Sequence, residues 1–105
     1  MTANRVDIAR SLKIIEGLKV QLLSVIAELF SGLYKGLEGN VLDALSAAIV
    51  ILYSMADRLG ISIRQIDMAV EEKLQDRVAN PDNSLRQFEG ELLNYWRGKG
   101  NGKEE

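Results

Sequence analysis

Residues 40–60 read NVLDALSAAIVILYSMADRLG, and the placement of their side chains decides the fold. Asn40 has a side chain suited to capping a helix start, and Gly60 lacks the Cβ that disfavours the left-handed backbone of a helix end. Between them Val41, Leu42, Leu45 and the run Ile49–Tyr53 cover a helix on almost every side instead of forming one stripe. Such a helix needs neighbours on both faces, so the stretch predicts a helical bundle completed by a second copy of the chain. Ile49, Leu52 and Tyr53 are the expected interface residues. The most apolar run, Ala47–Tyr53, is far shorter than the ~20 residues that span a bilayer. Asp43, Asp57 and Arg58 flank it closely, so a core helix with no membrane partner is expected.

Working outward, Leu22, Leu23, Ile26, Leu29, Phe30, Leu33 and Tyr34 recur at three- and four-residue steps, which predicts an amphipathic helix over 18–37. Gly36, Gly39 and Asn40 are its expected stop. Before it, a helix capped near Thr2–Asn4 carries Val6, Ile8, Leu12 and Ile15, with Gly17 marking a break or a close contact. After Gly60, Ser62 and Gln65 have the spacing of a capping box and open a helix carrying Ile66, Ala69, Val70 and Leu74 to Ala79. Asn80, Pro81, Asp82 and Asn83 form a turn. Ser84 and Gln87 then repeat the capping spacing ahead of Leu85, Phe88, Leu92 and Trp96. Short connections favour antiparallel neighbours. The expected fold is therefore an all-α antiparallel helical bundle, one domain over 1–97 with a flexible tail at 98–105.

Composition narrows the chemistry. The 105 residues include 13 basic and 15 acidic side chains, a net charge of −2, which gives no field to gather nucleic acid. With no cysteine and no histidine, thiol nucleophiles, imidazole bases and the usual zinc sites are excluded. The N-terminus has early charges and no continuous apolar stretch, which leads to an expectation of a cytoplasmic location. No glycine is followed by the Gly-Lys-Ser/Thr unit of a phosphate loop. Ser24 and Ser46 have no imidazole to activate them and read as small packing residues. Tyr53 and Trp96 read as packing anchors, and Glu71-Glu72-Lys73 as an exposed helix face.

The segment LLSVIAELFSGL at 22–33 and ADRLGI at 56–61 resemble the MazG-like family, over roughly residues 12–77. The resemblance implies an all-α fold of the nucleotide pyrophosphohydrolase superfamily, with Lys73 similar to a common family lysine. Active relatives carry two adjacent acids and a third acid three residues on in the first helix, and an acid pair at i and i+3 in the next. Together these hold Mg²⁺, which prefers carboxylate and water oxygens in octahedral geometry. Aligned on Glu28 and on ADRLGI, those places hold Ser24, Val25, Ala44 and Ala47, so only Glu28 remains of the expected carboxylates. Asp43 lies one residue from an expected place, about 100° around the helix.

The resemblance and its missing acids together predict a non-catalytic or weakly active protein, related to nucleotide binding or assembly. A homodimer or higher homo-oligomer is the expected partner state, with a nucleotide as the expected small ligand. Glu28 and Asp43 are the candidate metal residues, and Lys73 and Arg77 the candidate phosphate contacts. One alternative is a Mg²⁺-dependent nucleoside triphosphate pyrophosphohydrolase with a rearranged set of Glu28, Asp43, Glu38 and Asp57, contributed across a subunit boundary. There Glu28→Gln abolishes activity. Another alternative is an adaptor that offers the apolar surface of residues 41–59 to a foreign helix.

Overall fold

The computed structural model describes residues 5–101, and among these it contains four helices and no strand. They are α1 (Arg5–Lys35), α2 (Glu38–Arg58), α3 (Ile63–Ala79) and α4 (Arg86–Asn101). The residues group into two compact units, Met1–Ser62 and Ile63–Glu105. Each is a helical hairpin, α1 on α2 and α3 on α4. The all-α architecture is thus present. α4 continues through Gly98 to Asn101, and the rest of the expected tail, like the cap expected near Thr2–Asn4, lies outside the described residues.

α1 is one helix of 31 residues where two were expected. Gly17 neither breaks it nor marks a close contact, since a Cβ added there would meet nothing within 4 Å. A lone glycine costs about 1 kcal/mol of helix propensity, too little to interrupt a helix of 31 residues. The stop comes at Gly36, with φ of +70°. Its N–H donates to the Leu33 carbonyl and that of Leu37 to the Gly32 carbonyl, the paired bonds of a Schellman turn.

This turn feeds directly into α2, so the cap expected at Asn40 is not used and Gly39 lies inside the helix. Leu37 occupies the N-cap position with extended backbone and no side-chain cap bond. Its carbonyl accepts from the Asn40 and Val41 N–H groups, and that fixes where the helix starts. The far end is as expected. Gly60 has φ of +82°, and a second Schellman turn joins Gly60 N–H to Asp57 and Ile61 N–H to Ala56.

Within the first unit the less exposed positions form one seam on each helix. On α1 they are Ile15, Leu18, Leu22, Val25, Leu29 and Gly32, and on α2 Val41, Ala44, Ala48, Ile51 and Met55. Both follow alternating steps of three and four, the spacing of paired coiled-coil helices. The register is set at the turn, where a Cβ on Gly32 would stand 3.1 Å from Val41 Cγ2. Of the apolar residues expected inward on α1, Leu22 and Leu29 lie in the seam, while Leu23, Ile26, Phe30, Leu33 and Tyr34 are exposed. On α2, Leu42, Leu45, Ile49 and Leu52 are exposed as well, and no large side chain among the described residues is fully buried.

Taken whole, α2 reaches further than its run 47–53. It has 21 residues, and an 18-residue window within it has mean hydropathy 1.5, so it is long and apolar enough to cross a membrane by length and composition. Its seam is nevertheless paired with α1, which carries Lys13, Glu16, Lys19 and Glu28.

In the second unit Ile66, Val70 and Leu74 turn inward on α3 as expected, with Leu74 buried, whereas Ala69, expected with them, is exposed. α3 begins directly after Ser62. On α4 the less exposed positions include Glu89, Leu92, Leu93 and Trp96, whereas Phe88, and Leu85 just before the helix, are exposed. Asn83, not Ser84, opens that helix: its Oδ1 accepts from Leu85 N–H at 3.0 Å. Its Nδ2 donates to the Arg77 carbonyl at 3.0 Å and to Glu89 at 2.7 Å. Glu89 is therefore drawn inward, and that sets the phase of α4.

Candidate functional site

Helical phase places the candidate acids. In an antiparallel pair, stepping one residue back from each seam turns both helices toward the same side, because the helices wind oppositely when viewed from one end. That side carries Gln21, Ser24 and Glu28 from α1 and Asp43, Ala47 and Val50 from α2. With Gly32 against Val41, Glu28 lies level with α2 residues 43–47. The hairpin therefore places Glu28 and Asp43 on one side, at neighbouring levels.

The same side holds an open recess of about 540 Å³, lined by Val20, Gln21, Ser24, Val25, Ala47, Val50 and Ile51. Three of the four residues at places where the sequence resemblance implies acids, Ser24, Val25 and Ala47, are in its wall. The fourth, Ala44, is only 2% exposed and belongs to the seam. The recess thus presents mainly aliphatic surface, with the Ser24 hydroxyl and the Gln21 amide as its polar side chains. Among the described residues no group of three or more acids comes together as a metal cage.

The wider rearranged set is not assembled within one chain. Glu38 and Asp57 stand near opposite ends of α2, about 28 Å apart at 1.5 Å rise per residue. Asp57 also lies 3.9 Å from Arg58. Ser46 bonds to the carbonyls of Leu42 and Asp43, both at 3.0 Å, so its hydroxyl is committed to its own helix.

The candidate phosphate contacts are in the second unit. Lys73 is exposed on α3. Arg77 grips Glu89 with two of its nitrogens, Nη2 to Oε2 at 2.7 Å and Nε to Oε1 at 2.8 Å, a fork geometry that fixes the guanidinium plane. The hydrogen bond and charge of Glu89 raise the Arg77 pKa, and the bonds from Arg77 and Asn83 hold the Glu89 carboxyl below its usual range. As built, Arg77 works as a clasp between α3 and α4.

Trp96 is anchored too. Its indole Nε1–H donates to the Asp67 carbonyl at 3.1 Å, and Lys99 Nζ stands 4.4 Å from its ring centroid. Arg97 pairs with Glu71 at 3.1 Å, so Glu71 is an inter-helix partner and not only a solvated acid. These clasps were not legible as such from the sequence. Their residues are separated by 12 to 29 positions, and no short motif joins them.

The family model described as the MazG-like family matches residues 8–92 of this chain. No curated protein and no solved structure matches it.

Proposed function

The chain belongs to the MazG-like family, and from that premise we propose that it is a divergent member acting by binding and assembly, with catalysis absent or weak. The observation that carries this reading is the recess walled by Ser24, Val25 and Ala47. A Mg²⁺ ion engaged with a polyphosphate needs several oxygen ligands in near-octahedral array. Valine and alanine supply none, and Glu28 with Asp43 falls short of such a set. The residues present do not fit the metal, and no hydrolytic step is assigned to them.

The recess suits a small ligand with an apolar face, and a nucleotide held without metal chemistry remains the ligand class suggested by the family. The test is release of pyrophosphate from nucleoside triphosphates by purified full-length chain with Mg²⁺ or Mn²⁺. Background rates are expected with every triphosphate. Metal-dependent turnover that vanishes in Glu28→Gln would establish the enzymatic alternative and remove this reading.

A further inference from the structure

We propose that the recess of the α1–α2 hairpin takes a small organic amine with an apolar body, its ammonium toward Glu28 and Asp43. The choice rests on the binding reading above and departs from the nucleotide suggested by the family in the sign of its charge.

One step back from the two seams, between Ile14 and Ser31 on α1 and between Asn40 and Ser54 on α2, the only charged side chains are Glu28 and Asp43. Glu28 stands one helical turn, about 6 Å, from Ser24, and Asp43 one turn from Ala47, each toward the connection at Gly36. Both acids therefore border the same end of the recess. Both are exposed, and among the described residues neither has an ion-pair partner. Lys19, the basic residue nearest the recess in sequence, is one step forward of Leu18, on the other side, and pairs with Glu16 at 3.1 Å. Lys13, Lys35 and Arg58 lie seven residues along their helices from Val20, Glu28 and Ile51. That is about 10 Å along the axis, one Debye length at ordinary salt. Within the hairpin, the charge at this end of the recess is that of two carboxylates.

An amine asks less of them than a metal does. Mg²⁺ requires near-octahedral oxygens at fixed distances, whereas an ammonium is a compact charge whose donors rotate to meet the acceptors near it. A phosphate at the same end would set like charge against both acids. The body of the ligand lies on Val20, Val25, Val50 and Ile51, in a recess of about 540 Å³, where its apolar surface leaves water. Gln21 and Ser24 remain available to a polar substituent. Ser46 and Ser54 do not, because their hydroxyls bond to carbonyls of their own helix.

Phenethylamine, phenethyl alcohol and phenylacetate share a benzyl group and differ in charge, so together they read the acids apart from the apolar wall. Each is titrated into the full chain and followed by amide chemical shifts. The amine is expected to bind about five- to tenfold more tightly than the alcohol, as one or two exposed ion pairs allow, and the carboxylate most weakly. The shifts are expected to centre on residues 20–28 and 43–51. Glu28→Gln combined with Asp43→Asn is expected to bring the amine to the level of the alcohol and to leave the alcohol unchanged. Ala47→Leu, which fills the recess, is expected to weaken both, with circular dichroism melts confirming that each variant is folded. An amine with no advantage over the carboxylate, one that keeps its advantage in the double variant, or shifts centred elsewhere overturns the proposal. Metal-free adenosine triphosphate binding the recess more tightly than the amine also overturns it, yet leaves the binding reading standing. Failure of every compound, the triphosphate included, to perturb the recess removes both.

Discussion

Gly32 sits so close to Val41 that a Cβ placed on it would stand 3.1 Å from Val41 Cγ2 and 3.4 Å from the Val41 backbone nitrogen. α1 and α2 thus approach each other closely beside the turn, where the Schellman bonds of Gly36 and Leu37 already fix the chain. Gly32→Leu is expected to destabilise the hairpin by about 2 kcal/mol through overpacking, read as a lower urea midpoint by circular dichroism. Gly17→Ala, with open space around it, is expected to gain a few tenths of a kcal/mol to about 1.

Ala44 and Ala47 separate packing from the recess. An aspartate at position 44 enters a seam site that is 2% exposed and has no cation provided for it, at an expected cost of about 3 kcal/mol or more. Ala47→Asp enters the open recess and is expected to cost well under half of that. Equal losses in parallel denaturation curves would mean that the two positions do not face differently.

Glu89 gives the second unit an acid-sensitive clasp. Its carboxyl titrates below the usual range, first because of Arg77 and then Asn83. The folded form therefore holds the ionised group more tightly than the unfolded chain does. The contribution is complete above the ordinary glutamate value of ~4.3 and is lost as pH falls through the lower folded value. Glu89→Gln is expected to lower the melting temperature at neutral pH and to flatten the acid limb of the stability profile, measured by thermal melts between neutral and strongly acidic pH.

Trp96 ties α4 to the Asp67 carbonyl. Trp96→Phe keeps much of the ring contact but loses the N–H donor and part of the cation–π partner for Lys99, with an expected loss of about 1–2 kcal/mol.

Much of the helix map was legible because its signals are local. Gly60, the turn at 80–83 and the end of α3 at Ala79 follow from backbone chemistry that one or a few residues carry. The starts of α2 and α4 were misread for the converse reason. Asn40 and Ser84 have the right side chains, but a carbonyl at Leu37 and a side chain at Asn83 reached the free N–H groups first.

Sequence alone determined that the chain is helical, that α2 is apolar on nearly every side, and that no cysteine or histidine is present. Helical spacing, propensity and ligand chemistry are properties of residue type and need no tertiary partner. Only the tertiary structure decided which apolar row pairs with α1 and which is left over, and that Arg77 is spent on Glu89. Those outcomes depend on the relative phase of helices whose contacting residues lie far apart in the chain, and a phase difference of one residue moves a side chain about 100° around its helix.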